Sequence, residues 1–191
     1  MISGALFVLL VAAGGPAPQV SHVGSVTVTR IASPHRQLAF EVLVPAPRDS
    51  VWAAFATGGG LSTWLWSDCT VDLRKGGGWT AHYPGGKTGG GTVERVETGR
   101  SLTLHAMAPE QFPTVRRVGT TAVFAFTAVG DTATDVWLTQ TGWRSGKEWD
   151  AAYEYLAKGN AQLLGQLRYR FVHGPIDWAA LAHRDTSRAG H

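Results

Sequence analysis

The feature that most constrains this fold is an apolar stripe at helical spacing between Glu148 and Val172, the longest helical pattern in the chain. Each residue of an α-helix turns by about 100°, so residues three and four positions apart share one face. The pattern therefore predicts one long helix whose apolar face is covered by another element. The residues of the stripe are Trp149, Ala152, Tyr153, Leu156, Asn160, Leu163, Leu164, Leu167 and Phe171.

Local signals predict where this helix begins and ends. Ser145 is followed three residues later by Glu148, which is the spacing of a capping box at a helix N-terminus. Gly174 and Pro175 follow the last residues of the pattern, and this pair is typical of a helix C-terminus.

The segment ahead of the long helix predicts strands and two short helices. Apolar residues alternate with other residues from Arg36 to Val44, which predicts the first main strand. Pro47 suits the first turn of a helix, and residues 49–57 predict that helix. Leu61 to Trp66 predict a second short helix, and a short strand is predicted within Val20 to Ile31, over the sequence SVTVTRI of residues 25–31.

Runs of three glycines begin at Gly58, Gly76 and Gly89, and all three are interpreted as turns. None fits a phosphate-binding GxGxxG loop between a strand and a helix. About six strands are predicted between the short helices and the long helix, and strands joined by hairpins pair antiparallel. One face of such a sheet must be covered, which predicts an α+β fold with the long helix across the sheet.

Composition favours one globular domain and argues against several classes of partner. The 191 residues are 44% hydrophobic and 16% charged, with a net charge of only +3. The basic residues are scattered, which argues against nucleic-acid binding. Cys69 is the single cysteine, so an intramolecular disulfide is impossible. No histidine pair has the spacing of a metal site, so no metal or other cofactor is predicted.

The first 20 residues are interpreted as a signal-like or disordered segment. Ala5 to Ala13 are apolar and a Gly/Pro-rich stretch follows, as in the hydrophobic region of a secretory signal. The apolar run is too short to span a bilayer, so no stable membrane insertion is expected after cleavage. Export to the periplasm or medium is the expectation, and a disordered cytoplasmic tail is the alternative. Residues 21–178 are predicted to form the domain, and residues 179–191 a flexible polar tail.

Several phrases of the sequence resemble one known family. They are FEVLVPAPRDSVWAAFATGGGLSTWLWSDCTVDLRKGGGW from Phe40 to Trp79, GGGTVERVETGRSLTL from Gly89 to Leu104, TDVWLTQTGW from Thr134 to Trp143, and EWDAAYEYLAKGNAQLLGQLRYRF from Glu148 to Phe171. Together they resemble the START/Bet v 1-like (SRPBCC) superfamily and, within it, the AHSA1-like family named after the C-terminal domain of the Hsp90 ATPase activator homologue.

The resemblance implies a helix-grip fold, in which a curved antiparallel sheet wraps around a long C-terminal helix and two short helices follow the first main strand. It also implies an apolar cavity between sheet and helix, which in many relatives holds a lipid, sterol, polyketide or other hydrophobic ligand. The superfamily has no universal catalytic residue, so the resemblance assigns none here.

The predicted ligand-binding residues come from the helix stripe, the inward face of the sheet and the short helices. Ordinary packing in the core is the alternative for each, because an apolar stripe is core by default. Trp64 and Trp66 could instead gate a cavity entrance. The full set is Phe40, Trp64, Trp66, Trp79, Phe124, Phe126, Gln140, Trp149, Tyr153, Leu156, Asn160, Leu163, Leu164 and Leu167.

Asn160 is the most informative single residue, because a polar amide lies near the centre of the apolar stripe. A buried amide without a partner costs roughly 1–3 kcal/mol. One hypothesis is that Asn160 binds a polar group of a ligand, with Gln140 in a lesser role. The other is that it binds backbone or water near Gly159, where the helix could bend.

Binding of a small hydrophobic molecule is therefore the leading hypothesis. Two alternatives stay open: an enzyme of the polyketide cyclase or aromatase kind, and a protein-interaction module like the Hsp90 activator domain. No catalytic residue is assigned, since no nucleophile with a supporting base and no paired carboxylates are predicted inside the cavity. The oligomeric state is left open.

Overall fold

The computed structural model describes residues 16–32 and 35–181. Residues 1–15 and 182–191 lie outside this range, together with most of the predicted signal-like segment and most of the predicted polar tail. The first described strand already begins at Gln19.

The described residues contain nine strands and four α-helices. The strands are β1 Gln19–Val23, β2 Val26–Ile31, β3 Gln37–Val44, β4 Cys69–Val71, β5 Gly78–Tyr83, β6 Lys87–Glu97, β7 Ser101–Met107, β8 Thr120–Val129 and β9 Ala133–Thr141. The helices are α1 Arg48–Ala56, α2 Gly58–Ser62, α3 Pro113–Val118 and α4 Lys147–His173. No helix in the described ranges is both long and apolar enough to cross a membrane.

All nine described strands form one curved antiparallel sheet in the order β1-β2-β3-β9-β8-β7-β6-β5-β4. The only connection that skips neighbours runs from β3 through α1 and α2 to the far edge of the described sheet. Hairpins then return the chain strand by strand until β9 pairs with β3. Helix α4 crosses the inner face of the sheet and packs mainly on β3. The predicted α+β helix-grip fold is confirmed, including the two short helices after the first main strand.

Side chains of alternate strand residues point to the inner face of the sheet and form the core. Phe40 pairs with Leu138, and Leu138 pairs with Phe124 on the next strand, so three apolar side chains lie side by side. The side chains on this inner face are buried, among them Phe40, Val42, Trp79, Phe124, Phe126, Val136 and Leu138.

Phe55 of α1 lies at the centre of an aromatic cluster that joins the short helices to the sheet. Its ring centroid is 4.8 Å from those of Trp64 and Phe126, and 5.1 Å from that of Phe124. The indole of Trp79 donates a hydrogen bond of 3.1 Å to the carbonyl of Phe55. Buried aromatic side chains of this kind fix α1 firmly against the sheet.

The short strand predicted at residues 25–31 is confirmed as β2, and it forms a hairpin with β1, a strand that the sequence did not predict. Gly24 makes the turn with a φ of 57°, a left-handed conformation that glycine adopts at little cost. β1 is exposed along its whole length, and therefore carries little of the apolar alternation that would predict a second strand.

The predicted capping box is wrong. Helix α4 begins at Lys147, and its N-cap residue Gly146 makes no side-chain capping bond. Glu148 instead accepts hydrogen bonds from the backbone N–H groups of Thr114, at 2.6 Å, and Val115, at 3.0 Å. It therefore caps α3, a short helix that the sequence analysis did not predict. The predicted end at Gly174 is confirmed.

Two of the three glycine runs are not turns. Gly58 to Gly60 open helix α2, where the side chain of Thr57 accepts a hydrogen bond from the N–H of Gly60. Gly89 to Gly91 lie inside strand β6. In both places glycine is required because another backbone segment passes very close. A Cβ atom on Gly60 would lie 2.3 Å from the carbonyl oxygen of Ala53, and a Cβ atom on Gly90 would lie 2.0 Å from the carbonyl oxygen of Trp79.

Candidate ligand-binding cavity

A cavity of about 640 Å³ lies between α4 and the inner face of strands β5 to β9. This volume falls in the range of about 300–1,000 Å³ that is typical of small-molecule sites. The helix contributes Tyr155, Leu156, Gly159, Asn160 and Leu163 to its wall. The sheet contributes the deeper wall, which consists of Trp79, Leu104, Ala106, Ala122, Phe124, Leu138 and Gln140.

The rim of the cavity is formed by the start of β6 and by residues 107–111, which follow β7. Arg116 of α3 holds these two segments together. Its guanidinium donates to the carbonyl of Ala108 at 2.7 Å and to the hydroxyl of Thr88 at 3.0 Å. Lys87 and Glu110 are the charged residues of the rim, and both are exposed. The rim is therefore polar while the deeper walls are mainly apolar.

The inner face of helix α4 meets two environments. One flank carries Tyr153 and Leu164 of the predicted stripe together with Ala157 and Ala161, and all four are buried. The other flank carries the half-buried Leu156, Asn160 and Leu163, which face the cavity. The small residues Ala157 and Ala161 let one side of the helix lie close to the sheet, and the space remains on the other side.

The structure brings six of the predicted ligand-binding residues to the cavity wall. They are Trp79, Phe124, Gln140, Leu156, Asn160 and Leu163. The other eight do not line the cavity, because they pack within the core or beside it. They are Phe40, Trp64, Trp66, Phe126, Trp149, Tyr153, Leu164 and Leu167.

The second short helix ends at Ser62, so Trp64 and Trp66 follow it, and neither of them lines the cavity. Trp64 is fully buried, and its indole N–H donates to the carbonyl of Ala54 at 2.9 Å. Trp66 is half-buried and packs between Tyr83 and Trp178, with centroid distances of 5.1 Å and 5.4 Å. Trp66 therefore contacts Tyr83, which does line the cavity.

Two of the amide side chains that line the cavity bind each other. The Nδ2 atom of Asn160 donates to the Oε1 atom of Gln140 at 2.9 Å. The Nε2 atom of Gln140 in turn donates to the hydroxyl of Thr120 at 2.7 Å. Asn160 therefore has a partner on the sheet, which neither the ligand hypothesis nor the hypothesis of a backbone or water partner foresaw.

Sequence reasoning missed several lining residues. Tyr83 and Ala81 continue the alternation that begins at Trp79, so the period of two could have placed Tyr83 on the inner face. Tyr155 lies well outside the apolar stripe, and no periodic signal would have found it. Lys87 and Gly89 were missed because the glycine run was interpreted as a turn rather than as part of a strand.

The phenol of Tyr83 is a neutral hydrogen-bond donor in the cavity. Burial raises its pKa above the usual value of 10.0, and the neighbouring Cys69 and Tyr155 add to the shift. Tyr83 therefore remains protonated near neutral pH.

Comparison with known proteins agrees with this architecture. Residues 45–171 match the family model described as activator of Hsp90 ATPase homolog 1-like protein. No curated protein matches the chain.

Solved structures share the fold at low sequence identity. The Aha1 dimer from Colwellia psychrerythraea is 18% identical over 72% of this chain and 97% of its own, with a TM-score of 0.57. Protein MLL2253 from Mesorhizobium loti is 18% identical over 74% of this chain and 100% of its own, with a TM-score of 0.62. DynU16, from the dynemicin biosynthetic locus, is 19% identical over 74% of this chain and 49% of its own, with a TM-score of 0.57.

The family match covers most of the chain, from the end of β3 to the last turns of α4, and the helix-grip architecture accompanies it. The chain belongs to the activator of Hsp90 ATPase homolog 1-like family.

Proposed function

We propose that the protein binds a small hydrophobic molecule in the cavity between α4 and the sheet. The observation that carries this proposal is the cavity itself, which is large enough for a multi-ring ligand and is walled by residues such as Trp79, Leu104 and Phe124. Burying roughly 400 Å² of apolar ligand surface would contribute about 10 kcal/mol at about 25 cal/mol per Å², before the cost of association.

The ligand class follows from the character of the walls. Apolar and aromatic side chains form the deep part, while charged residues lie only on the exposed rim. An uncharged, largely apolar body therefore fits the deep part best, because a buried charge would lack a partner there. The shared fold with DynU16, a protein of a biosynthetic locus, supports including fused-ring aromatic compounds among the first probes.

Fluorescence titration with N-phenyl-1-naphthylamine tests the proposal, since this probe becomes bright in apolar surroundings. Ala122 lies on the cavity wall, whereas Ala125 lies on the same strand but on the opposite face. Ala122→Phe is expected to fill the cavity and to weaken binding at least about tenfold. Ala125→Phe is the matched control and is expected to bind the probe as the unmodified protein does.

A second substitution alters the wall of the cavity that the helix forms. Leu156→Trp is expected to weaken binding to a similar degree, because Leu156 forms the opposite wall. Thermal melting establishes that each variant is folded. The proposal is overturned if the unmodified protein gives no saturable fluorescence, or if folded Ala122→Phe and Leu156→Trp both bind the probe with unchanged affinity.

A further inference from the structure

A short polar relay crosses the apolar cavity from helix to sheet. Asn160 of α4 donates to Gln140 of β9, and Gln140 donates to Thr120 at the start of β8. Gln140 is only 3% exposed and Thr120 only 4%. The relay is therefore a built feature of the interior, not a contact between mobile surface groups.

The relay leaves one hydrogen-bond acceptor without a partner. The amide nitrogen of Asn160 donates to Gln140, so the oxygen of the same amide is turned away from Gln140. In the described part of the chain the Oδ1 atom of Asn160 accepts no hydrogen bond. Leu156 and Leu163 lie one turn before and about one turn after it on the same wall, so its nearest neighbours along the helix are apolar. An acceptor in such surroundings gains free energy when a donor binds it.

We infer that the ligand carries a hydroxyl or N–H donor that binds the Oδ1 atom of Asn160, which makes Asn160 the residue that determines specificity within the cavity. This inference rests on the proposed binding function and deepens it. Gln140 and Thr120 are positioning residues, because they hold the Asn160 amide and are themselves almost fully buried. A ligand that has no donor at this point, such as a methyl ether, leaves the Oδ1 atom without a partner and is disfavoured.

Another polar group on the wall makes a matched control necessary. The hydroxyl of Tyr83 also lines the cavity and could bind a ligand hydroxyl. Tyr83→Phe removes that hydroxyl and retains the ring, so it separates the two sites. Asn160→Leu removes the acceptor of Asn160, whereas Asn160→Asp presents acceptors only. In the Asp variant the Gln140 amide can turn to donate to the carboxylate, with the Thr120 hydroxyl donating to Gln140.

Isothermal titration calorimetry with 2-naphthol and 2-methoxynaphthalene tests the inference. The methyl ether is the more hydrophobic compound, so apolar walls alone would favour it. The unmodified protein is expected to bind 2-naphthol about fivefold more tightly, as one neutral hydrogen bond allows. This preference is expected to persist in Tyr83→Phe and Asn160→Asp and to be lost or reversed in Asn160→Leu.

The possible failures are distinguishable. If neither compound binds the folded, unmodified protein, both this inference and the binding function are overturned. If both compounds bind but their affinity ratio is the same in the unmodified protein and Asn160→Leu, only the role of Asn160 is overturned. If Asn160→Leu does not fold, Asn160→Asp decides the question. Loss of the preference for 2-naphthol in Asn160→Asp contradicts the inference. A retained preference, together with weaker binding of the methyl ether, supports the inference.

Discussion

Phe55 shows how one side chain can connect three parts of this fold. It contacts Trp64 after α2, Trp79 on β5, and Phe124 and Phe126 on β8. The side chain is fully buried, so its removal leaves a cavity that rigid neighbouring rings cannot refill.

We expect Phe55→Ala to lower the free energy of unfolding by about 3–5 kcal/mol, as for other large-to-small substitutions in cores. Urea denaturation followed by circular dichroism measures the change. Tyr169→Ala is the matched control, because Tyr169 is 52% exposed and a surface change of this kind costs about 0.5 kcal/mol or less. Similar losses in both variants would contradict the central role of Phe55.

Glu148 illustrates a residue whose role depends on its charge. Burial opposes ionisation of its carboxyl, but hydrogen bonds from Val115 and Thr114 and the charge of Arg117 outweigh that effect and hold its pKa below the usual 4.5. The negative charge also lies at the N-terminus of α3, where it interacts favourably with the helix dipole.

Glu148→Gln is expected to lower the melting temperature near neutral pH. Because the pKa is lower in the folded state than in the unfolded state, the stabilisation is fully present above pH 4.5 and is lost as the pH falls through the depressed folded pKa. The difference between the variant and the unmodified protein should therefore shrink on acidification. Melting curves from pH 7 to pH 3 measure this change, and Glu110→Gln, at an exposed position, is the control. A difference in melting temperature that stays constant over this pH range would exclude a charge-dependent cap.

At the scale of elements, strand β6 depends on glycines that fit where a side chain would not. Gly90 has a φ of 112° and lies against the carbonyl of Trp79 on the neighbouring strand. Backbone packed this closely against a neighbouring strand leaves no room for a Cβ atom without a shift of β5 or β6.

We expect Gly90→Ala to destabilise the protein by more than Gly24→Ala. Gly24 also has positive φ but has open space around it, so its substitution costs only the strained conformation, roughly 1–2 kcal/mol. Gly90→Ala adds the clash with Trp79, and its loss should exceed this amount. Parallel urea denaturation of the two variants checks the order, and equal losses would mean that β6 adjusts to the added atom.

The elements that could be predicted are those with a strong period. Alternation identified β3, and the 3.6-residue stripe identified α4, because one face of each is buried. Two glycine runs were wrongly predicted to be turns, because glycine occurs both in turns and where two backbone segments pass close together. The sequence alone does not distinguish these two cases. The role of Glu148 was wrongly predicted as a capping box of α4, because its carboxylate caps a helix 34 residues earlier in the chain. Local sequence spacing cannot indicate a hydrogen bond between such distant residues.

For the molecule as a whole, the general position of the cavity was predictable but its wall was not. Core and cavity residues share the same apolar alternation, and what separates them is which flank of α4 lies against the sheet. Leu156 and Leu164 belong to one predicted stripe, yet the first faces the cavity and the second is fully buried. The buried flank also carries Ala157 and Ala161, small residues outside the stripe.

Occupancy of the cavity should stabilise the entire domain, since a ligand that binds only the folded state shifts the folding equilibrium. N-phenyl-1-naphthylamine at one hundred times its dissociation constant is expected to add about 2.7 kcal/mol to the free energy of unfolding. Urea denaturation with and without the probe measures this. Ala122→Phe should show little of the effect, and an equal gain in that variant would place the bound probe outside the cavity.

The glycine at position 89 has a consequence for how this protein can diversify. A Cβ atom there would lie 3.0 Å from the ring of Tyr83, a flexible side chain rather than backbone. Any substitution here adds atoms to the cavity wall, because no residue is smaller than glycine, and the ring of Tyr83 must shift to accept them. Inherited variation at this one position can therefore change which molecules the cavity accepts.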